Sequence, residues 1–338
     1  MKIIVAGAFE YQMYQEALAY GLTQCGAQVI CLQLKENRPY DLLLAYNNGE
    51  LLEKKVAECS PDIVFLYRVE NIYPIFIKRL KAKFPSIFFA QYHNDDPFRK
   101  SIKRYIKSWH YLHYIQYTDL TYVYRPVNLN EATEWGAKQV KLFMSHYYSK
   151  TDLRDMTPSD CLNKNGRIVF IGHWEDDGRM DYICECFKQG YDIHIYGPNY
   201  WKDIFNKYQL PQENLHSVVR GKDYINVLHN ASIALAFFSK SNRDEYTRRC
   251  FEIPMAGTAL LQPATTITQE IFTDGYDTIL YTSIKDFVKK INYYLMHKEE
   301  LSDIAFHGYT LIKNGPFSEK ARAEMVLNDY DVFKQRLI

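Results

Sequence analysis

Short apolar runs alternate with longer amphipathic stretches along most of the chain, and this alternation limits the fold more than any other feature. Lys2–Gly7 and Gln28–Gln33 are predicted strands, and Gln12–Cys25 is a predicted helix between them. Repeated strand–helix–strand units form parallel sheets with right-handed crossovers and helices on both faces. We therefore predict the α/β class, with doubly wound sheets.

The same pattern continues through both halves of the chain. In the first half it predicts strands at Asp62–Tyr67, Ser86–Ala90 and Thr121–Tyr124, and a helix at Pro74–Phe84. In the second half it predicts strands at Arg167–Gly172, Asp192–Tyr196, Ser217–Val219, Ile233–Phe238, Ala259–Gln262 and Thr278–Tyr281. Predicted helices there are Asp181–Lys188, Tyr224–Ala231, Thr247–Ala256, Ile284–His297 and Glu319–Phe333.

The alternation lapses over Ser145–Asn165, a polar, turn-forming stretch typical of a linker. A chain of 338 residues is long enough for two domains. We predict Rossmann-like domains at residues 1–148 and 149–316, and a C-terminal helix at 317–338 that packs back on the first domain. Two such domains facing each other form a cleft lined by strand ends, where ligands bind against helix N-termini.

Composition excludes several classes of protein. The formal charge is only +1, which argues against a protein that coats nucleic acid. The 7 Cys residues are scattered without paired metal-binding arms, so we predict reduced thiols. No apolar segment approaches the roughly 20 residues of a membrane helix. We therefore predict a cytoplasmic protein without a nucleic-acid partner.

The stretch from Asp244 to Leu261 carries the most informative charges. Arg248 and Arg249 lie one turn before Glu252, where they would keep its carboxylate ionised and meet phosphate oxygens. An ionised carboxylate accepts hydrogen bonds from both hydroxyls of a diol, which is how a ribose is held. A solvated helix face with ordinary ion pairs is the alternative interpretation.

The sequence Arg-Cys-Phe-Glu-Ile-Pro-Met-Ala-Gly at Arg249–Gly257 resembles the Arg-x-Phe-Glu-x-x-x-x-Gly signature of CgeB-like (spore-maturation type) glycosyltransferases. These belong to the group-1 family with the GT-B fold. The similarity extends to Asp95–Phe98, Phe170–Glu175, Arg179, Tyr196-Gly197, Glu270–Gly275, Tyr281 and Ile291–Leu301. The resemblance implies two Rossmann-like domains facing a central cleft, the first for the acceptor and the second for a nucleotide-sugar donor.

The resemblance also implies roles for individual residues. Glu252 matches a ribose-binding glutamate, and the first acidic position of a related Glu-x7-Glu pattern falls on Asp244, with Glu245 beside it. Arg179 matches a basic residue that meets the diphosphate. Gly172 follows a predicted strand, where glycine lets the backbone approach a phosphate or sugar. The predicted donor-binding set is Gly172, His173, Arg179, Lys222, Glu245, Arg249, Glu252, Gly257 and Thr258.

The segment Gln91–Phe98 follows a predicted strand and so lies at a sheet edge. Asp95, Asp96 or His93 there is predicted to deprotonate an acceptor hydroxyl. Together with Asp244 they form the predicted catalytic set. The alternative is that an aspartate before Pro97 caps a helix. No metal is expected, because no third ligand accompanies the two aspartates.

Residues 76–109 are basic and aromatic. They hold nine Lys and Arg and two Asp, a balance of +7. Such a region is a candidate for peripheral contact with a membrane surface or a polyanion. The alternative is a solvated helix face, since these helices are also expected to carry a core-facing apolar stripe.

We expect a glycosyltransferase that moves a sugar from a nucleotide-diphosphate sugar to a hydroxyl of a glycan, lipid-linked glycan or other surface-polymer precursor. It would need neither cofactor nor metal, and would act in the cytoplasm or at the inner membrane face. Two alternatives stay open. One is another Rossmann-type enzyme, such as a sugar-nucleotide epimerase or a dehydrogenase, although a Gly-x-Gly-x-x-Gly motif is absent. The other is a non-catalytic nucleotide-sugar or carbohydrate-binding protein.

Overall fold

The strands and helices form two α/β units in a computed structural model that describes residues 1–35 and 41–336. Met1–Ser145 and Ser318–Ile338 make the first unit, and His146–Phe317 make the second. The predicted boundaries fall after residues 148 and 316. Residues 337–338 of the predicted C-terminal segment lie outside the described residues.

The first unit is built on a parallel six-stranded sheet in the order β2-β1-β3-β4-β5-β6. Its strands are β1 (Lys2–Gly7), β2 (Gln28–Gln33), β3 (Ile63–Tyr67), β4 (Phe88–His93), β5 (Leu120–Val123) and β6 (Val140–Leu142). Its helices are α1 (Ala17–Gln24), α2 (Leu42–Cys59), α3 (Pro74–Lys83), α4 (Ile102–Lys107), α5 (Trp109–Tyr114) and α6 (Val127–Glu134). The strand order reverses between β1 and β3, which makes this pair the topological switch point.

The second unit has a parallel six-stranded sheet in the order β12-β11-β10-β7-β8-β9. Its strands are β7 (Ile168–Ile171), β8 (Ile193–Tyr196), β9 (Leu215–His216), β10 (Ile233–Leu235), β11 (Ala259–Pro263) and β12 (Ile279–Tyr281). Its helices are α7 (Ser149–Asp152), α8 (Pro158–Leu162), α9 (Arg179–Lys188), α10 (Trp201–Lys207), α11 (Gly221–Asn230), α12 (Arg249–Met255), α13 (Thr266–Ile271), α14 (Ile284–Met296) and α15 (Lys298–Asn314). This is the dinucleotide-binding strand order, with its switch point between β7 and β10.

The central strands form the core of each unit. Every residue of β3 and of β7 is buried, as expected for parallel strands covered on both faces. The predicted α/β class and the doubly wound sheets are therefore confirmed. Within the described ranges 1–35 and 41–336, no helix is both long and apolar enough to cross a membrane.

The last helix, α16 (Glu319–Gln335), packs against α1 in the first unit. Its Asp329 accepts a 2.6 Å hydrogen bond from the Tyr122 hydroxyl and pairs with Lys141, so a buried carboxylate ties the helix to β5 and β6. The C-terminal helix thus completes the first unit, although almost 180 residues separate it from β6.

Two predicted elements differ from the structure. The predicted helix Gln12–Cys25 is a π-helix at Gln12–Glu16 followed by α1. The predicted strand Ser217–Val219 is wrong, because the edge strand is β9 at Leu215–His216. The His216 ring stacks on Tyr196 with a centroid distance of 4.5 Å, so aromatic contacts rather than an apolar run fix this edge.

Candidate functional site

The candidate donor site lies at the switch point of the second sheet, where β7 and β10 pair side by side. After β7 the chain passes through residues 172–178 into α9, and after β10 it passes through residues 236–248 into α12. Ser239 Oγ donates to Glu175 Oε2 at 2.7 Å, which ties the two loops together. Open parallel sheets bind ligands at this kind of crevice.

Arg249, the first residue of α12, reaches across to the end of β7. Its Nε donates to the Ile171 carbonyl oxygen at 2.6 Å, and its Nη2 lies 2.8 Å from where a Cβ on Gly172 would stand. No carboxylate pairs with Arg249 in the part of the chain that the structure describes. Its terminal nitrogens are therefore available to an anion.

Arg179, the predicted diphosphate contact, is engaged inside the unit. Its Nε donates to Asp177 Oδ1 at 2.8 Å, its Nη2 lies 2.5 Å from Asp177 Oδ2, and its Nη1 donates to the His173 carbonyl oxygen. The side chain is only 5% exposed. The structure thus gives Arg179 a positioning role, and the prediction of a direct phosphate contact is not kept.

Lys240 is a cation that the sequence analysis missed. A Cβ on Gly178 would lie 3.4 Å from Lys240 Nζ, so the ammonium group stands beside the N-terminus of α9. Among the described residues, no carboxylate pairs with it. The available signal was its place directly after the predicted strand Ile233–Phe238.

His173 lies near two cations at this edge of the sheet, Arg249 and Arg179. It is exposed, and its Nδ1 lies 2.8 Å from the Tyr200 hydroxyl. Partial burial, and then the charges of Arg249 and Arg179, lower the pKa of His173. The imidazole is therefore neutral near pH 7.

The carboxylate of Glu252 lies in the first turn of α12 and is held by two side chains. Arg248 Nε donates to its Oε1 at 2.7 Å, and the Tyr224 hydroxyl donates to its Oε2 at 3.0 Å. Arg248 Nη2 also donates to Asp152 Oδ2 at 2.6 Å. Arg248 rather than Arg249 therefore pairs with Glu252, whereas Arg249 points to the end of β7.

The Glu252 carboxylate contributes to the pKa shifts of two neighbouring groups, Asp152 and Tyr224. Burial and the Glu252 carboxylate raise the pKa of Asp152, although Arg248 opposes the effect. Burial and the same carboxylate raise the pKa of the Tyr224 hydroxyl, which therefore stays protonated and donates. Arg248 is the cation that makes two buried carboxylates compatible at this position.

The other predicted acidic residues lie in the loop before α12. Asp244 and Glu245 are partly exposed, and the Glu245 carbonyl oxygen accepts from Thr265 Oγ1 at 2.6 Å. Thr247 Oγ1 and Trp174 Nε1 are buried in the two switch-point loops and have no hydrogen-bond partner in the described part of the chain. Both are donors that a ligand or water can satisfy.

Three predicted donor-binding residues are not brought to this edge. Lys222 is exposed on α11, and no hydrogen bond or ion pair joins it to the other site residues within the described ranges. Gly257 follows α12 with a φ of +65°, and a Cβ there would lie 3.1 Å from Met156 Sδ. Thr258 Oγ1 donates to the Leu228 carbonyl oxygen at 2.6 Å. Gly257 and Thr258 precede β11 at the amino edge of the sheet, so the structure gives both a structural role.

In the first unit, β4 continues through His93, so this residue lies in the strand and not in the following loop. Its Nδ1 accepts from the Asp95 backbone N–H at 3.1 Å, which leaves Nε2 to donate to Glu70 Oε1 at 3.1 Å. The ring is 1% exposed. His93 therefore positions Glu70 and has no free nitrogen for an acceptor hydroxyl.

The two aspartates after β4 differ from each other. Asp96 is fully buried and accepts from Phe98 N at 3.2 Å and Asn128 Nδ2 at 3.0 Å. It closes a turn, and the helix-capping alternative is wrong because the next helix begins at Ile102. Asp95 is partly exposed and lies 3.2 Å from Arg68 Nη2.

Asp95 is a weak base. Burial alone would raise its pKa, but Arg68, His93 and Lys107 outweigh burial and lower the pKa to about 2. A general base works best with a pKa near the working pH. The structure therefore favours Asp95 as a fixed negative charge in an ion-pair network.

A cavity of about 190 Å³ lies at the switch point of the first sheet. It is lined by residues that follow β1 and β3 and by one residue of α4, namely Ala8, Glu10, Tyr11, Tyr14, Gln15, Arg68, Glu70 and Lys107. Arg68 has a left-handed backbone with a φ of +54°, an unfavourable conformation that marks functional loops. The lining combines carboxylates, cations and aromatic rings, the groups that hold hydroxyls and sugar faces.

Part of the chain matches a known protein family. Residues 180–328 match the family of glycosyl transferase-like proteins. These residues include Lys240, Arg249 and Glu252. No curated protein matches the chain at the sequence level.

Several solved structures share the fold over nearly the whole chain. Sucrose-phosphate synthase from Thermosynechococcus elongatus has a TM-score of 0.71 at 11% identity, covering 98% of this chain and 99% of that chain. Anabaena HepE in complex with UDP has a TM-score of 0.69 at 10% identity, covering 98% and 100%. A putative UDP-N-acetylglucosamine 2-epimerase from Listeria monocytogenes has a TM-score of 0.59 at 13% identity, covering 97% and 95%. The solved structures confirm the predicted GT-B fold, and the match over residues 180–328 supports the predicted class of enzyme, a glycosyltransferase.

Proposed function

We propose that the protein transfers a sugar from a nucleotide-diphosphate sugar to a hydroxyl of a glycan or surface-polymer precursor, as a CgeB-like enzyme. The observation that carries this proposal is the combination of two cations that lack carboxylate partners in the described residues with a buried glutamate that pairs with Arg248. Arg249 and Lys240 lie at the switch point, and Glu252 lies one turn along α12 from Arg249.

Arg249 and Lys240 are proposed to hold the diphosphate. During transfer, negative charge builds up on the departing nucleoside diphosphate. Fixed cations at that place lower the barrier, because they need no reorganisation when the charge develops. Burial is the main cause of the lowered pKa of His173, and the charges of Arg249 and Arg179 add to it, as expected beside a group of cations.

Glu252 is proposed to hold the ribose. Two carboxylate oxygens offer about four acceptor positions, and Arg248 and Tyr224 occupy two of them. The remaining positions suffice for both hydroxyls of a ribose. UDP is the first nucleotide to test, because the HepE structures contain UDP or UDP-glucose.

The cavity of the first unit is proposed to receive the acceptor. Glu10 and Glu70 accept hydrogen bonds from hydroxyls, Arg68 donates them, and the Tyr14 ring packs on the apolar face of a sugar. The acceptor carrying these hydroxyls, peripheral membrane contact through residues 76–109, a cytoplasmic location and independence from cofactors and metals all belong to the proposal.

The proposal is tested in two steps. A thermal-shift screen with nucleoside diphosphates and nucleotide sugars identifies the donor, because a bound ligand stabilises the folded state by mass action. The donor is then incubated with the enzyme, with and without sugar acceptors, and the products are resolved by mass spectrometry. Acceptor-dependent release of nucleoside diphosphate with a new glycoside supports the proposal. Conversion of the donor sugar without acceptor indicates an epimerase instead, and donor binding without any turnover indicates a binding protein.

A further inference from the structure

Helix α4 carries an apolar stripe that faces solvent. Ile102, Tyr105 and Ile106 of α4 are 82%, 40% and 38% exposed, and Trp109, the first residue of α5, is 39% exposed and follows at i+7. None of the six residues of α4 is buried. This differs from the expected core-facing stripe. A short helix without core contacts lacks the packing that normally stabilises a helix in water, so its apolar face is suited to a partner.

All the Lys, Arg, Asp and Glu residues in the sequence next to this stripe are basic. Between Pro97 and Thr118 the chain carries Arg99, Lys100, Lys103, Arg104 and Lys107 and no Asp or Glu. Lys100 and Lys103 make no ion pair or hydrogen bond with other described residues. Exposed apolar side chains flanked by basic ones are typical of helices that lie in the interface of an anionic bilayer.

Two of the four basic residues of α3 are already paired with carboxylates of the same unit. Arg79 donates to both oxygens of Glu53, at 2.9 and 2.7 Å, and Lys81 Nζ lies 2.7 Å from Asp119 Oδ2. Neither residue supplies net charge to a partner. Within the predicted region of residues 76–109, the exposed apolar stripe and its neighbouring basic residues lie in residues 99–109.

We infer that residues 99–109 form a docking surface for an anionic lipid bilayer. Ile102, Tyr105, Ile106 and Trp109 enter the boundary between headgroups and acyl chains, and Lys100 and Lys103 contact the lipid phosphates. Lys107, on the same helix, lines the cavity of the first unit and lies 3.4 Å from Glu70 Oε2. One further step rests on the proposed function: the acceptor is then a saccharide that a lipid anchors in this bilayer.

The test is flotation of the full-length protein with vesicles of phosphatidylcholine, either alone or mixed with phosphatidylglycerol. We expect binding to the mixed vesicles at low salt and little binding to phosphatidylcholine alone. The double variant Ile102→Ser/Ile106→Ser should lower the vesicle partition coefficient at least tenfold. Lys100→Gln/Lys103→Gln should lower it about fivefold per charge removed and weaken its salt dependence.

Matched control variants distinguish binding through this surface from nonspecific adsorption of the protein to vesicles. Ile75 on α3 is 51% exposed, so Ile75→Ser removes a comparable apolar side chain elsewhere in the same unit. Lys54 and Lys188 both have side chains that are 74% exposed, and Lys54→Gln/Lys188→Gln removes the same charge. Both controls should keep wild-type partition.

Absence of binding to the mixed vesicles at low salt, or equal losses in variants and controls, would overturn the inference. Binding of UDP, measured by calorimetry on the same preparations, reports on the proposed function separately. UDP binding without vesicle binding would support the proposed donor site and contradict the docking surface. Vesicle binding without UDP binding would support the docking surface and contradict the proposed donor site.

Discussion

Arg249 occupies the space that a side chain on Gly172 would need. Arg249 Nη2 lies 2.8 Å from the position of a Cβ on Gly172, while Arg249 Nε holds the neighbouring Ile171 carbonyl oxygen at 2.6 Å. The absence of a side chain at residue 172 therefore lets an arginine from α12 lie across the end of β7. This contact joins the two strand ends that form the switch point.

Gly172→Ala should displace the Arg249 guanidinium and weaken nucleotide binding. Loss of one charge-assisted hydrogen bond is worth about 1.5–3 kcal/mol, so the Kd for UDP should rise about tenfold or more. Calorimetry measures the effect, and a double-mutant cycle controls it: in an Arg249→Met background, Gly172→Ala should change the Kd little. Equal effects in both backgrounds would mean that Gly172 acts independently of Arg249.

Arg248→Met should strongly destabilise the second unit. The side chains of Arg248, Asp152 and Glu252 are 12%, 5% and 7% exposed, and the variant leaves two buried carboxylates without their cation. We expect a loss of about 3 kcal/mol in the free energy of unfolding, measured with urea. Glu252→Gln added to this variant should recover part of the loss. Arg167→Met removes an exposed ion pair with Asp192 and should cost less than about 1 kcal/mol.

Protonation of Asp95 in acid should lower the free energy of unfolding of the first unit. Folding lowers the pKa of this carboxyl to about 2, so its ionised form stabilises the folded state. The contribution is complete above about pH 4, where an unfolded aspartate is ionised, and is lost as the pH falls through 2. It amounts to about 2 kcal/mol.

Asp95→Asn should remove this contribution. The variant should lose about 2 kcal/mol of unfolding free energy at pH 7 and should show a smaller further loss between pH 5 and pH 2 than the wild type does. Urea unfolding at several pH values measures both. Glu134→Gln, which alters an exposed carboxylate of the same unit, should keep the wild-type pH dependence. Identical profiles for Asp95→Asn and the wild type would contradict the ion-pair role.

Arg68→Gln should impair use of the acceptor without affecting the donor. Arg68 lines the cavity of the first unit, and among the described residues its side chain hydrogen-bonds only to Asp95, through Nη2. We expect the acceptor KM to rise about tenfold, as for one lost charge-assisted hydrogen bond, with an unchanged Kd for UDP. Arg79→Gln removes an exposed arginine of the same unit that pairs with Glu53, and should leave both constants unchanged. A parallel loss of UDP affinity in Arg68→Gln would argue against a separate acceptor cavity.

Most of the fold follows from local patterns in the sequence. Buried parallel strands such as Ile63–Tyr67 and Ile168–Ile171 are continuous apolar runs, so their positions are visible without a structure. The edge strand Leu215–His216 was missed because it is short and is held by ring stacking on Tyr196. Edge elements of this kind depend on neighbours distant in sequence.

The candidate site was harder to predict, because local sequence does not show where a side chain points. Arg248 and Arg249 are adjacent, yet one pairs with Asp152 and the other with the end of β7. Arg179 matched a phosphate-binding position, but Asp177 holds its guanidinium. Lys240 joins the site through a loop whose path no pattern revealed.

Calorimetry of UDP and 2′,3′-dideoxy-UDP with the wild type and the Glu252→Gln variant tests the central claim most directly. If Glu252 holds the ribose hydroxyls, the wild type should bind UDP about tenfold or more tightly than the dideoxy analogue. The variant should then bind the two nucleotides almost equally. The same preference for UDP in both proteins would contradict the proposed donor site.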